Sequence, residues 1–139
     1  KLQVNQFLPT TPIRVLVDKN GNNLADKVSD DTLDKQVTPV KKQVALQLTK
    51  ALKPFIPSLV DKAKAHAEKE TQALIESALS EMSNQLENEH TRLQALAAIN
   101  PSVRQEEIDF IKDKQSLLAE FIEHAQLKFE AIRLIVVAN

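Results

Sequence analysis

Residues 103–130 read VRQEEIDFIKDKQSLLAEFIEHAQLKFE, and the spacing of apolar residues in this stretch decides the fold. Intervals of three and four residues separate the members of one stripe: Ile108, Ile111, Gln115, Leu118, Ile122, Ala125, Phe129 and Ile132. Such spacing keeps a stripe on one face of an α-helix. A second stripe with this spacing lies upstream: Ile75, Leu79, Met82, Leu86, Glu89, Leu93 and Leu96. The sequence therefore predicts two long amphipathic helices, at 58–98 and 103–130.

A short loop, Asn100-Pro101-Ser102, separates the two predicted helices. Proline disfavours helical geometry at the residue before it, so the first helix is expected to end at Asn100. We expect Ser102 to cap the second helix, with Gln105 as its capping-box partner. Two apolar stripes joined by so short a loop are expected to pack antiparallel as a helical hairpin.

The helical hairpin predicts which residues face each other. In an antiparallel pair folded about this loop, facing residues have numbers that sum to about 201. That relation brings Arg92 near Asp109 and Glu89 near Lys112. We expect two cross-helix ion pairs there, each worth less than ~1 kcal/mol when exposed. The first helix is the longer one, so its first turns need a further packing partner.

Both ends of the chain carry β-type patterns, and residues 1–25 are predicted to form strands. Apolar and polar residues alternate over Leu2–Leu8, and Ile13–Val17 is apolar and β-branched. Asn20-Gly21 predicts a tight turn after that strand. The near-continuous apolar run at 132–138 is typical of a strand buried on both faces. We expect this C-terminal strand to pair with Ile13–Val17 in a small antiparallel sheet.

The middle of the chain completes the predicted fold. Apolar residues at helical spacing indicate one extra helix at 40–53, and Pro54 and Pro57 separate it from the first long helix. Residues 26–36 favour strand and irregular structure equally. The fold class predicted is α+β: a small antiparallel sheet of N-terminal and C-terminal strands, a long antiparallel helical hairpin, and one extra helix.

Length and composition limit the classes of protein. At 139 residues the chain is predicted to be a single domain, and its start at Lys1 suggests a fragment of a longer protein. No apolar run approaches the ~20 residues of a membrane span. The chain has no cysteine, which excludes disulfides and thiolate metal sites. Its net charge is −1, so the whole chain is not an electrostatic nucleic-acid binder.

Charge is divided unevenly along the chain. Residues 1–70 carry 12 Lys/Arg against 8 Asp/Glu, and residues 71–139 carry 6 against 11. The basic half contains the candidate residues for a weak nucleic-acid or partner patch: Lys41, Lys42, Lys50, Lys53, Lys62 and Lys64. A nucleic-acid-contacting module is therefore one alternative function. A self-associating coiled-coil interaction module, built on the helical hairpin, is another.

No residue pattern predicts catalysis, a cofactor site or a metal site. Asp18-Lys19-Asn20-Gly21-Asn22 resembles the start of a calcium-binding loop, but Ser29 occupies the twelfth position where a bidentate glutamate is needed. Glu87 and His90 form a single Glu-x-x-His motif, whereas di-iron bundles need two motifs and further carboxylates. The chain has one glycine, so a glycine-rich phosphate loop is excluded.

The order of several short motifs resembles a known family. These motifs are Leu8-Pro9-x-Thr11-Pro12-x-Arg14, Asp18-Lys19-Asn20-Gly21-Asn22-Asn23-Leu24-Ala25, Asn100-Pro101, and Leu127 with Arg133-Leu134-Ile135-Val136-Val137. Together they are similar to the C-terminal domain of the RapA family of bacterial RNA polymerase-associated proteins. The first and last motifs are the specific ones, and the likeness spans essentially the whole chain.

The resemblance implies a function for the longer protein. Members of this family are Swi/Snf-like, helicase-like ATP hydrolases that bind RNA polymerase and promote its recycling after transcription. ATP and Mg²⁺ bind in upstream RecA-like lobes, which also act on nucleic acid and lie outside this sequence. The resemblance therefore implies a non-catalytic accessory domain of a cytoplasmic bacterial protein. Its implied partners are RNA polymerase, through the whole protein, and the upstream domains of the same chain, with no membrane.

Overall fold

The computed structural model describes residues 4–137, which form five helices. In chain order these are α1 (Val4–Phe7), α2 (Asp30–Gln36), α3 (Lys42–Leu52), α4 (Ile56–Ile99) and α5 (Gln105–Glu123). The three longest lie where apolar spacing predicts helices, at 40–53, 58–98 and 103–130. Helix α5 ends at Glu123, earlier than predicted, and His124 is its C-terminal cap. None of the helices in 4–137 is long and apolar enough to cross a membrane.

The predicted α+β fold is wrong. Residues 4–137 contain no strand, and their only β-type pairing is an isolated antiparallel bridge between Val17 and Asn23. The predicted strand at Leu2–Leu8 is helical over Val4–Phe7, because Phe7 is buried against the long helices. Leu2 and Gln3 lie outside the described residues.

The C-terminal strand predicted at 132–138 does not form over residues 132–137. Ala138 lies outside the described residues. The expected partner, Ile13–Val17, forms hydrogen bonds with residues close to it in sequence instead. The Leu24 amide donates to the Leu16 carbonyl at 2.6 Å, so the chain just after the turn takes this backbone acceptor. The C-terminal segment is instead attached by Arg133, whose Nη1 donates to Asp34 of α2 at 2.7 Å.

The chain divides into two compact units. Unit 1 comprises Lys1–Pro12 with Glu70–Gln126, and unit 2 comprises Ile13–Lys69 with Leu127–Asn139. Helix α4 contributes to both, and the change occurs between Lys69 and Glu70. Single-domain organisation of 1–139 stays a prediction, because compactness does not test independent folding.

Unit 1 is held by the packing of α5 and α1 against the second half of α4. Its core consists of Phe7, Ile75, Ala78, Met82, Leu86, Leu118 and Ile122. Leu118 and Ile122 cluster with Met82 and Ala78, which an antiparallel fold about residues 100–102 places opposite them. Members of the two predicted apolar stripes therefore make up most of this core, and Phe7 and Ala78 complete it.

The polar details of the helical hairpin differ from the prediction. Arg92 donates to Glu89, one turn earlier on α4, at 2.6 Å, and neither predicted cross-helix ion pair forms in the described chain. Arg92 thus pairs with the acidic residue nearer to it, on the same helix. Ser102 does not cap α5: its amide donates to the Asn100 side chain at 2.9 Å, and the helix begins at Gln105.

Unit 2 is built on α2, α3 and the first half of α4. Helix α2 lies within residues 26–36, for which the sequence favoured strand and irregular structure equally. The Ser29 hydroxyl accepts from the Thr32 amide at 3.2 Å, and Asp30 and Asp31 occupy the positive end of the helix dipole. Helix α3 ends at Leu52, and a turn containing Pro54 precedes α4.

Candidate interaction surface

Asp18 organises the only left-handed turn among residues 4–137. Its carboxylate accepts hydrogen bonds from the backbone amides of Asn20 and Asn22, both at 2.9 Å. The Asn22 amide lowers the pKa of Asp18 below its usual value, and the Asn22 side chain and Asn20 amide add to this. Gly21, with φ at 86°, supplies the left-handed residue. This carboxylate is therefore engaged with its own turn, as the predicted tight turn requires.

The turn lies on helix α4. The His66 Nε2 atom is 2.8 Å from the Gly21 carbonyl oxygen, and Lys62, one turn earlier on the same helix, extends its methylene groups across Gly21. A Cβ atom on Gly21 would lie 2.6 Å from the Lys62 Cδ. The backbone conformation therefore favours glycine here, and a larger residue would also displace the Lys62 side chain.

Arg14 joins the segments on either side of the turn. Its Nη1 donates to the carbonyl oxygens of Ala25 and Val28, at 3.0 and 2.7 Å, and its Nε pairs with the Asp30 carboxylate. The guanidinium thus ties the chain after the turn to the first residue of α2. Sequence reasoning missed this role, although Arg14 belongs to the first family motif and is a lone cation beside a β-branched run.

All six lysines of the predicted patch are exposed in unit 2. Lys41 and Lys42 lie at the start of α3, Lys50 in its last turn, and Lys53 just beyond it. Lys62 and Lys64 lie on α4. Residues that are two positions apart on a helix are rotated by about 200°, so Lys62 and Lys64 point to opposite sides of α4. The structure does not join all six lysines into one face.

Three of the lysines share one side of α3. Lys42, Lys50 and Lys53 fall within about 80° around the helix, on the side away from the half-buried Leu48. We call these three residues the α3 lysine face. None of them forms an ion pair within residues 4–137, whereas Lys64 contacts Glu68 at 4.0 Å. The α3 lysine face therefore carries exposed positive charge without an ion-pair partner in residues 4–137.

The two units carry opposite net charge. Unit 2 has 13 Lys/Arg against 8 Asp/Glu, a balance of +5. Unit 1 has 5 against 11, a balance of −6. Charge of one sign concentrated on a compact unit attracts partners of the other sign.

The remaining titratable residues form no recognisable reaction centre. Across residues 4–137, no three of the His, Asp and Glu side chains lie together in a group that would hold a metal ion. The ring Nδ1 of His124 lies 2.7 Å from the Glu120 carbonyl oxygen, at the end of α5. Arg92 lowers the pKa of Glu89 by hydrogen bonding to it. These contacts lie within single helices.

Comparison with known proteins identifies the family. A family model described as "RNA polymerase recycling family C-terminal" matches residues 1–137. The chain is 40% identical over 136 residues to "RNA polymerase-associated protein RapA" of Photobacterium profundum. That match covers 98% of this chain but 14% of the relative, so the chain spans about one seventh of that protein's length. The sequence resemblance is thus confirmed, and the chain belongs to the RNA polymerase recycling family, whose C-terminal region it matches.

Proposed function

We propose that this chain is a non-catalytic C-terminal accessory domain of an ATP-dependent transcription regulator that binds RNA polymerase and promotes its recycling. ATP and Mg²⁺ would be bound by upstream lobes of the longer protein, which would also carry most of the nucleic-acid contact. The bacterial cytoplasm would be the site of action. Within this protein the domain would dock against the motor lobes or the polymerase.

The family match over residues 1–137 is the observation that carries this proposal. The relative's name states an association with RNA polymerase, and its length leaves room for a motor upstream of the matched region. The structure is consistent with a docking role, because unit 2 exposes the α3 lysine face and unit 1 is strongly acidic.

Deleting residues 1–139 from the longer protein tests the role. We expect ATP hydrolysis without polymerase to stay near its original rate, and the stimulation by polymerase to fall several-fold. This selectivity follows if the domain transmits contact with the polymerase and supplies no reacting group. Equal losses of basal and stimulated hydrolysis, or no loss of either, would reject an accessory role in polymerase coupling.

The α3 lysine face favours a second candidate function, a direct contact to nucleic acid. Replacing Lys42, Lys50 and Lys53 with alanine removes up to three phosphate contacts. Each lost contact to duplex DNA reduces the slope of log affinity against log salt by about 0.9. A matched control replaces Lys112 and Lys114, which lie on α5 in the acidic unit. Unchanged affinity and salt slope in the α3 variant would eliminate this contact.

A further inference from the structure

Helix α5 has a second apolar stripe that the core of unit 1 does not use. Phe110, Leu117 and Phe121 are 60%, 46% and 56% exposed. At about 100° per residue they fall within about 40° of one another. The buried residues of the same helix, Ile108 and Leu118, lie on a different side. We call Phe110, Leu117 and Phe121 the outer α5 stripe.

An acidic row runs beside the outer α5 stripe. Glu106, Asp113 and Glu120 are spaced seven residues apart, so they follow the stripe along one edge. All three are exposed, and Glu106 has a single distant ion-pair partner, Arg104, at 4.0 Å. The other edge carries one residue of each sign, Glu107 and Lys114.

This combination specifies the chemistry of a partner. Two large aromatic side chains and a leucine in a helical row fit the apolar face of another helix. Acidic residues at heptad spacing beside them favour a partner helix with Lys or Arg in the facing row, as e and g residues do in coiled coils. An acidic partner helix would be repelled at the same positions.

The position of the stripe indicates where the partner comes from. The matched relative is about seven times as long as this chain, and the family model describes a C-terminal region, so most of the polypeptide lies upstream. Helix α1, at the start of the described chain, packs on α5 beside Leu118 and Ile122. The upstream chain therefore enters unit 1 next to the helix that bears the stripe. A covalently linked partner needs little contact area, because its effective concentration is high.

We infer that the outer α5 stripe is covered by a Lys/Arg-rich amphipathic helix from the upstream part of the same polypeptide. The inference rests on the proposed function only in placing this chain within a longer protein. It assigns to α5 the role of an intramolecular docking helix, with apolar contact from Phe110, Leu117 and Phe121 and orientation from the acidic row.

The test is photo-crosslinking in the full-length protein, without polymerase and without nucleotide. A photoreactive phenylalanine analogue replaces Phe121 in one variant and Phe110 in another. The matched control places the analogue at Phe55, which is 62% exposed in unit 2. We expect both α5 variants, and not the control, to crosslink within one molecule to an upstream helical peptide rich in Lys and Arg.

Charge reversal tests the acidic row independently. Asp113→Lys combined with Glu120→Lys is expected to lower the crosslink yield from position 121 at least threefold at low salt, while the yield from position 55 stays constant. Crosslinks to a second copy, to an upstream segment without basic residues, or to none above the control would overturn the inference. The crosslinking experiment contains no polymerase, so a negative result would reject the docking helix alone. The proposed function is tested separately by the polymerase-stimulation experiment.

Discussion

The Nε2 atom of His66 lies 2.8 Å from the carbonyl oxygen of Gly21, a residue 45 positions earlier in the chain. A carbonyl oxygen only accepts hydrogen bonds, so Nε2 carries the proton and donates it. Both the Nε2–H neutral ring and the imidazolium can make this bond. The contact joins the Asn20-Gly21 turn to α4 within unit 2.

Replacing His66 with alanine is expected to destabilise this attachment. Loss of one hydrogen bond costs about 0.5–1.5 kcal/mol in the free energy of unfolding. Urea denaturation measures the total loss, and hydrogen exchange at the amides of residues 18–24 locates it. His90 is the matched control, since its side chain makes no hydrogen bond within 4–137. Equal effects of His66→Ala and His90→Ala would contradict the assignment.

Replacing Gly21 with alanine is expected to destabilise the turn chiefly through its backbone geometry. The left-handed backbone geometry, φ 86°, costs a residue with a Cβ about 1–2 kcal/mol. The new Cβ also meets the Lys62 Cδ at 2.6 Å. In a Lys62→Ala background most of this loss should remain, because the lysine side chain can move aside, so the coupling energy of the double-mutant cycle should stay below about 0.5 kcal/mol. A larger favourable coupling in thermal or urea unfolding would show that the contact with Lys62 dominates instead.

Neighbouring leucines on α5 provide a test of the core. Leu118 is fully buried, whereas Leu117 is 46% exposed. Leu118→Ala should lower the free energy of unfolding by about 2–5 kcal/mol through lost burial and the cavity left behind. In the 139-residue chain by itself, where no upstream helix covers the outer α5 stripe, Leu117→Ala should change it by less than about 0.5 kcal/mol, the usual range for surface sites. Similar losses for the two variants would mean that α5 packs on α4 with a different face.

The turn is expected to respond to acid through Asp18. Hydrogen bonds from Asn22 and Asn20 hold the pKa of this carboxyl below its usual value, so its contribution to stability is present above the unfolded pKa. That contribution is lost as the pH falls through the lowered, folded pKa. NMR titration of the Asp18 side chain between about pH 2 and 5 brackets the unfolded carboxyl pKa and measures the shift.

Asp18→Asn is the control for this titration, because asparagine keeps an acceptor oxygen but has no carboxyl proton to bind. Amide exchange in residues 18–24 should depend on acid in the original chain and lose that dependence in the variant. An Asp18 carboxyl that titrates at its usual pKa would show that the amide hydrogen bonds do not form in solution.

The long helices could be predicted from sequence because many residues repeat the same spacing. The stripes through Met82 and Leu118 each span several turns, so a single polar member such as Gln115 does not obscure the period. The resulting core of unit 1 contains these stripe residues. The family could also be recognised from the order of the motifs near Arg14 and Arg133, and the family model matches residues 1–137.

The predicted sheet does not form in residues 4–137. Its β-branched residues favour extended backbone but do not determine which segment will pair with them. Within Ile13–Val17, the Leu16 carbonyl accepts from the nearby Leu24 amide. The segment up to Val137 has no ladder, and Arg133 attaches it through a side chain instead. Pairing between distant segments depends on the packing of the whole chain, which a local pattern does not contain.

Helix α2 and the polar contacts are two other features that the sequence patterns did not predict. Ser29 followed by Asp30 and Asp31 is a helix-start signal, yet the sparse apolar residues there concealed a seven-residue helix. The Arg92–Glu89 pair replaced the expected cross-helix pairs, since a partner one turn away needs no exact register. Neither Arg14 nor His66 could be assigned from periodicity, because both hydrogen-bond to backbone carbonyl groups, which residue spacing does not reveal.

The burial of Met82 has a chemical consequence. The chain has one methionine and no cysteine, and the Met82 side chain is 1% exposed. A thioether becomes a sulfoxide only where an oxidant reaches it. Peroxide therefore meets no accessible sulfur in the folded chain, and oxidation of Met82 requires opening of the interior of unit 1. The rate of sulfoxide formation, followed by mass spectrometry, thus measures how often that interior opens.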